Sequence, residues 1–233
     1  MLTCRLMRIH IEALFTHDAR GRMIRVNEPG GGDAPRFFLG RTSHGNEWAF
    51  RHDVPGDIQQ ELERACLAEC PGEHLLLPPY GSRGYEEILA RCGPSHSKEA
   101  GPAYCFPDDL PASTGAIQVT DKNSDLLRAH LEPWLPDVTV RQPFVAFACV
   151  IGGHAVSICC SVRITDAAHE AGVETAPEFR GRGYARQTVT AWASAVRRAG
   201  RIPLYSTSWR NLASQSLAQK LGLVQFGSDL HVS

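Results

Sequence analysis

A run of glycine and arginine separates a predicted strand from a predicted helix in the second half of the chain. The run reads Arg180-Gly181-Arg182-Gly183-Tyr184-Ala185; the strand before it ends at Thr175, and the helix after it begins near Tyr184. Glycine lets the backbone turn sharply and approach another group closely. Consecutive N–H groups at a helix N-terminus, with the helix dipole behind them, form a binding site for phosphate. We therefore expect an anionic ligand at this loop.

The charges around the loop support an anionic ligand. Seven arginines and no acidic residue lie between Phe179 and Arg210. The run is not a P-loop, because no Gly-Lys-Ser/Thr follows it, and it lacks the third glycine of a dinucleotide-binding motif. Taken alone, the glycines leave open an ordinary strand–helix connection beside a solvated arginine face.

The elements that must position this loop alternate between strands and helices. The clearest helix covers 184–198, where Ala185, Val189, Trp192 and Val196 repeat at helical spacing. Hydrophobic patterns also predict helices at 124–131 and 211–221, and strands at 115–120, 144–151, 155–163, 169–175, 202–209 and 223–232. This order predicts an α+β fold for the C-terminal half, in which helices flank a mixed, mostly antiparallel sheet.

The first part of the chain predicts a smaller β-rich module with one helix. Its helix is expected at 57–70, with Asp57 as the N-cap. Two hairpins are expected before it, the first from 9–15 and 23–26 and the second from 37–42 and 47–51. We assign this module to residues 1–92 and recognise no function for it.

The two halves are separated by a segment rich in proline and glycine. Residues 93–114 show little apolar periodicity, and we predict a linker there. The second domain is then expected to cover 115–233.

Composition excludes several classes of protein. The 24 basic and 25 acidic residues nearly cancel, which argues against a nucleic-acid partner. No apolar run approaches the roughly 18 residues of a membrane span, and charges interrupt the first residues where a signal peptide would need an apolar stretch. We therefore expect a cytoplasmic protein without membrane partners. Cys66, Cys70 and His74 lack the paired spacing of zinc sites, so no metal is predicted.

Two motifs in the C-terminal half resemble those of the GNAT superfamily of acyltransferases. Arg180-x-x-Gly183-x-Ala185, after a strand and at the start of a helix, is similar to the superfamily's Q/R-x-x-G-x-G/A motif. Asn211-x-x-Ser214, followed by Lys220-Leu221-Gly222-Leu223, is similar to its N-x-x-S…K-x-G-F segment. The resemblance covers roughly 115–233 and implies the family's sheet, which splays between the strand ending at Thr175 and the strand after the following helix.

The resemblance implies an N-acyltransferase that uses acetyl-CoA as co-substrate and a primary amine, on a small molecule or a peptide, as acceptor. The backbone N–H groups of the loop would hold the pyrophosphate, and the main chain of the strand would pair with the pantetheine arm as if it were another strand. The polarising donor for the thioester carbonyl would be the Val173 N–H. The implied cofactor-binding residues are Val173, Thr175, Arg180, Gly181, Arg182, Gly183, Tyr184, Ala185, Arg186, Asn211 and Ser214.

Direct transfer to an amine requires a base that removes the amine proton, and no covalent enzyme intermediate. His169 is the first candidate, because it shares a strand face with Val173 and Thr175 and its ordinary pKa of about 6.5 suits a base near neutral pH. A surface histidine at the start of a strand is the alternative. Glu174 is the second candidate, on the other face of the strand, and Glu170 is the third.

The group that protonates the leaving thiolate is missing at its usual position. Family members often carry a tyrosine four residues after the position of Ser214, and this chain has Ala218 there. Ser206, Ser208, Tyr205 or solvent would have to replace it. The absence leaves a second function open, a non-catalytic module that binds or senses acyl-CoA.

Overall fold

The computed structural model of the protein describes residues 2–72, 75, 82–111, 113, 115–140 and 144–233. Its helices are α1 (Leu2–Leu14), α2 (Gly56–Ala68), α3 (Ser82–Ala90), α4 (Leu135–Val140), α5 (Tyr184–Arg198) and α6 (Leu212–Lys220). Its strands are β1 (Phe15–His17), β2 (Met23–Val26), β3 (Phe37–Thr42), β4 (Gly45–Phe50), β5 (Lys98–Cys105), β6 (Ile117–Gln118), β7 (Ala146–Ile151), β8 (His154–Ile164), β9 (Ala168–Thr175), β10 (Ile202–Ser206) and β11 (Val224–Val232).

The chain divides into two compact units, and both are discontinuous in sequence. The first unit contains Met1–Cys105, Ser206–Gln215 and Val224–Ser233. The second contains Phe106–Tyr205 and Ser216–Leu223. The predicted boundaries instead placed everything from 115 onward in one domain. A pattern read along the chain does not show that the last strand pairs with strands of the first unit.

The first unit contains an antiparallel sheet in the order β4-β3-β11-β5. Helices α2 and α3 pack on one of its faces, where Leu39, Leu62, Leu89 and Leu230 lie in one apolar cluster. Helix α1 packs on the same sheet through Met7, since a Cβ placed on Gly40 or Gly227 would collide with the Met7 side chain. These two glycines therefore allow the helix to approach the strands closely.

The second unit contains a sheet in the order β10-β9-β8-β7-β6. Strand β10 runs parallel to β9, and the remaining neighbours are antiparallel. Helix α5 packs on β7, β8 and β9, with Val189, Trp192 and Val196 fully buried. A second apolar cluster contains Leu127, Leu131 and Ile158 together with α4 and the segment before it. Helices thus flank a mostly antiparallel sheet, which confirms the predicted fold class of the C-terminal half.

Several predicted elements of the second unit are found close to their predicted bounds. Helix α5 covers the predicted 184–198, and β9 begins one residue before the predicted 169–175. Strands β7 and β8 form the predicted long hairpin, with Gly152 and Gly153 at its turn. The predicted short helix at 124–131 is a 3₁₀ helix over Asp121–Leu127.

The first module is β-rich as predicted, but it contains α1 and α3 in addition to the one predicted helix. The alternation at 9–15 predicted a strand, and the structure has α1 there up to Leu14, because Met7, Ile11 and Leu14 also form a buried helical stripe. Pro55, not Asp57, precedes the first residue of α2. The second predicted hairpin is confirmed as β3 and β4.

The predicted linker 93–114 contains β5, which pairs along its whole length with β11. The strand was not predicted because the Gly-Pro pair within β5 is typical of a turn or linker. A Cβ placed on Gly101 would collide with the backbone of Thr207, so the glycine allows a close backbone approach inside the first unit. Residues 112 and 114 of the predicted linker lie outside the described residues.

Candidate functional site

The glycine-rich loop between β9 and α5 adopts a conformation that requires its glycines. Gly181 and Gly183 have φ values of 77° and 84°, in the left-handed region that side chains with a Cβ rarely adopt. A Cβ built on either residue meets no other heavy atom within 4 Å, so both face open space. The loop therefore presents exposed backbone to a ligand.

Helix α5 begins with backbone donors that the helix itself does not satisfy. The first helical bond of the turn joins the Gln187 N–H to the carbonyl of Gly183, at 3.3 Å. The N–H groups of Tyr184, Ala185 and Arg186 precede this bond and have no acceptor inside the helix. Gly183 offers no side chain that could cap them. With the positive end of the helix dipole, these donors suit an anion.

Three exposed arginines surround this loop. Arg180 and Arg182 lie in the loop and Arg186 directly follows it, and the guanidinium carbon of Arg182 lies 5.5 Å from the centroid of the Phe179 ring. Arg197 serves the fold instead, since it donates to the carbonyls of Phe106 at 2.9 Å and Asp108 at 3.0 Å. The seven arginines counted along the sequence therefore do not form one patch.

Strand β9 has one edge without a strand partner beside the loop. Its parallel pairing with β10 covers three residue pairs and ends at Leu204 and Glu170. On its other side, β9 stays paired with β8 as far as Thr175. Within the described residues, the last five residues of β9 thus have a neighbouring strand on one side only. The two strands separate at the position that the resemblance implied.

Hydrogen bonds show which groups face this open edge. The carbonyl of Ala167 accepts from the Ile202 N–H on the β10 side, whereas the Ala176 N–H donates to Val156 on the β8 side. Successive residues of a strand direct their main-chain groups to opposite edges. The main chain of Val173 and Thr175 therefore faces the open edge.

One side chain connects the open edge to the loop. Arg180 Nε donates to the carbonyl oxygen of Thr175 at 3.1 Å. The end of β9 and the glycine-rich turn are thereby held next to each other, so one extended ligand can contact both.

His169 is buried on the face of β9 that α5 covers. Its Nδ1 lies 2.8 Å from Ser161 Oγ, and Trp192 Nε1 of α5 donates to the same oxygen at 2.9 Å. The histidine is 1% exposed. The alternative of a surface histidine is therefore wrong, and the role of His169 as a base stays a prediction.

Glu174 lies on the opposite face of β9 and is partly exposed. Its Oε2 accepts a hydrogen bond from Trp134 Nε1 at 2.5 Å. Glu170, on the same face, is 1% exposed. Trp134 was not predicted from the sequence. The isolated Gly172 inside β9 was the available signal, because a glycine in a strand often marks a close approach.

The residues of the second motif have identifiable local contacts. Asn211 Oδ1 accepts from the Ser214 N–H at 3.1 Å at the start of α6, and both residues belong to the first unit. Their contact with a cofactor stays a prediction. Ala218 is fully buried, and of the suggested replacements for the missing acid Tyr205 is buried, Ser206 is partly exposed and Ser208 is exposed.

Neither a metal centre nor a membrane span is found in the described part of the chain. No three or more His, Cys, Asp or Glu side chains there are grouped so that they could hold a metal ion. His74 of the rejected zinc pattern lies outside the described residues. No helix within the described ranges has both the length and the apolar character needed to cross a bilayer.

Comparisons with known proteins agree with the two motifs. Residues 139–227 match the sequence model of a family described as GNAT acetyltransferase. No curated protein matches the chain significantly.

Two solved structures share its fold. A GCN5-related N-acetyltransferase-like protein from Streptococcus suis 89/1591 is 20% identical over 86% of this chain and 85% of its own, with a TM-score of 0.50. An acetyltransferase of the GNAT family from Colwellia psychrerythraea is 15% identical over 80% of this chain and 75% of its own, also at 0.50. A GNAT-family structure from Novosphingobium aromaticivorans DSM 12444 is 16% identical over 59% of this chain, with a TM-score of 0.49, and this chain spans 65% of its length.

The match of 139–227 includes the glycine-rich loop, the separating strands and the Asn211–Ser214 segment. The predicted resemblance is thereby confirmed: the C-terminal half of this chain is similar to the GNAT acetyltransferase superfamily in its sequence motifs and in its fold.

Proposed function

We propose that the protein is an N-acyltransferase that moves an acetyl group from acetyl-CoA to a primary amine of a small molecule or a peptide. One observation carries the proposal. The open edge of β9 lies directly beside the glycine-rich start of α5, and Arg180 connects them through the Thr175 carbonyl. A linear cofactor with a pyrophosphate at one position and an amide-bearing arm beyond it matches this arrangement.

The loop residues fit the pyrophosphate. The N–H groups from Gly181 to Arg186 would donate to its oxygens, and the exposed Arg180, Arg182 and Arg186 would balance its negative charge. The open space at Gly183 is what a phosphate pressed against the backbone requires, because a Cβ there would occupy it.

The open strand edge fits the pantetheine arm. Its amides would exchange hydrogen bonds with the main chain of Val173 and Thr175, which extends the sheet with a non-protein strand. The same geometry would bring the thioester carbonyl toward the Val173 N–H. Such a fixed donor stabilises the negative charge that develops on that oxygen in the transition state.

The transfer itself is a direct attack. The amine nitrogen forms a bond to the acetyl carbonyl carbon, the carbon–sulfur bond breaks, and its electron pair leaves with sulfur. The amine proton must pass to a base on the protein, directly or through water. The observed burial favours Glu174 over His169 for this role, which reverses the order that the sequence suggested. Glu174 is partly open to solvent, whereas the imidazole is enclosed beneath α5 with its Nδ1 bonded to Ser161.

The thiolate would be protonated by solvent or by Ser206 or Ser208. Ala218 has no group that can donate a proton, and the ordinary thiol pKa of about 8.5 leaves part of the product as thiolate at neutral pH. This buried alanine also supports the second candidate function, an acyl-CoA-binding or sensing module that does not catalyse transfer.

Release of free thiol from acetyl-CoA, measured with a panel of amines, separates the two functions. An acyltransferase releases thiol only when a suitable amine is present and forms the acetylated amine in equal amount. A sensing module binds acetyl-CoA in calorimetry and releases no thiol above the uncatalysed rate with any amine. A protein that shows neither binding nor release would contradict both.

A further inference from the structure

Trp134 lies beside the Glu174 carboxylate on strand β9. It ends a 3₁₀ turn, Glu132–Trp134, that precedes α4. The turn is anchored in the apolar interior: Leu131 is fully buried, and its N–H donates to the Leu127 carbonyl at 2.8 Å. The indole thus extends from a well-fixed segment toward strand β9.

Strand β9 has a glycine, Gly172, where the indole packs against it. A Cβ on Gly172 would collide with the Val162 side chain and would lie 3.0 Å from Cη2 of the Trp134 ring. Any larger residue at 172 would therefore displace the ring. The absence of a side chain at this position lets the indole lie against the strand face.

The indole reaches the carboxylate two residues further along the same face. Trp134 Nε1 donates to Glu174 Oε2 at 2.5 Å, 40 residues apart in the chain. This hydrogen bond fixes one oxygen of the carboxylate. Because the indole ring is rigid, the carboxylate group can rotate little without breaking the bond. A carboxylate has further acceptor sites on its other oxygen that this bond leaves unused.

Building on the proposed function, we propose that Trp134 is a positioning residue, which holds the Glu174 carboxylate where it can take the proton of the attacking amine. Nε1 restrains one carboxylate oxygen, and the other accepts the proton as the amine nitrogen bonds to the acetyl carbon and the sulfur leaves with its electron pair. In this role Trp134 acts through the Glu174 carboxylate. Misplacing a reacting group by about 1 Å can cost on the order of 100-fold in rate, so a restraint of this kind matters for catalysis.

The test compares Trp134→Phe, Glu174→Gln and the double variant with the wild-type protein. Phenylalanine retains an aromatic ring but cannot donate. We expect Trp134→Phe to lower kcat about 10- to 100-fold, and Glu174→Gln about 100-fold or more. The Kd of CoA, measured by calorimetry, should stay within about twofold in all variants, since neither side chain lies on the loop. In the Glu174→Gln background, Trp134→Phe should have no further effect on kcat.

Two further measurements test whether the loss of kcat is specific to Trp134 and whether the hydrogen bond to Glu174 exists in solution. Trp48→Phe, a matched substitution on β4 in the first unit, should leave kcat unchanged. In a ¹H–¹⁵N spectrum, Glu174→Gln should shift the one indole N–H signal that Trp134→Phe removes, because that proton loses its carboxylate acceptor.

The outcomes separate the two proposals. If the wild type is active and Trp134→Phe keeps its kcat, or if the losses of Trp134→Phe and Glu174→Gln simply multiply, the positioning role is overturned and the proposed function stands. If the wild type neither binds nor turns over acetyl-CoA, the proposed function is overturned, and the positioning role with it.

Discussion

The side chains of His169 and Glu174 lie on opposite faces of strand β9 and have different surroundings. The imidazole lies beneath α5, where Ser161 Oγ links it to the indole of Trp192. The carboxylate lies on the other face, is partly exposed and accepts from Trp134. The strand thus separates a buried imidazole from a partly exposed carboxylate.

Replacing His169 should cost stability and not catalysis. His169→Leu removes the group bonded to the buried Ser161 hydroxyl, and a lost buried hydrogen-bond partner costs about 1–3 kcal/mol. We expect the free energy of unfolding, measured in urea, to fall by that amount, while the Kd of CoA stays the same.

A matched control is His154→Leu, at an exposed position where β8 begins. It should change stability by no more than about 0.5 kcal/mol. A His169→Leu protein with wild-type stability and a kcat lowered by 100-fold or more would instead identify His169 as the base.

Gly172→Ala should destabilise the second unit. The added Cβ collides with Val162 and presses on the Trp134 ring, and overpacking of this kind costs about 1–3 kcal/mol. Thermal unfolding and the indole N–H signal of Trp134 would both report it. Gly32→Ala, where a Cβ meets no atom within 4 Å, is the control and should have little effect. Equal stability of the two variants would show that the indole does not lie against Gly172.

The first unit should lose stability in acid through Asp229. The largest single influence is burial, which disfavours the charged form of this carboxyl group and raises its pKa. The interactions with His231 and His10 together outweigh burial and hold the pKa of Asp229 below its ordinary value. Because its pKa is lower in the folded state, the ionised carboxylate stabilises the fold at pH values above its unfolded-state pKa of about 3.9. This stabilisation is lost as the pH falls from there through the folded-state pKa.

The measurement is urea unfolding as a function of pH for the wild type and Asp229→Asn. At pH 7 the variant should be about 1–3 kcal/mol less stable, and the difference should shrink below pH 4, because the carboxylate is protonated in the unfolded chain before it is protonated in the folded protein. Asp109→Asn, at an exposed position, should match the wild type throughout. A difference between wild type and Asp229→Asn that is the same at pH 3 and pH 7 would contradict the ion-pair account.

The helices and strands that were predicted correctly are those whose hydrophobic pattern lies entirely within one short segment of the sequence. Helix α5 is the clearest case, because Val189, Trp192 and Val196 repeat at helical spacing and all three are buried. Where one pattern fits two structures, the prediction was wrong: Ile9, Ile11 and Ala13 alternate like a strand, yet Met7, Ile11 and Leu14 form the buried stripe of α1.

Features that depend on distant partners were not predicted from the sequence. Strand β5 exists because β11 pairs with it more than 100 residues later, which no local pattern shows. The alternation along β9 correctly separated His169 from Glu174, but it could not show which face a helix would cover. The contact between Trp134 and Glu174 was missed for the same reason.

We propose that the loop from Arg180 to Ala185 binds the pyrophosphate of acetyl-CoA. Gly183→Val tests it, and Gly153→Val is a closely matched control, because both glycines have φ values of 84° and open space around a Cβ. Both variants place a β-branched residue at the same positive φ, and only Gly183 lies on the proposed site. Calorimetry with acetyl-CoA should show binding to the wild type and to Gly153→Val with similar Kd. Binding to Gly183→Val should be at least tenfold weaker, a loss of about 1.4 kcal/mol or more. Equal affinity of the two variants, or no binding to the wild type at high micromolar acetyl-CoA, would contradict it.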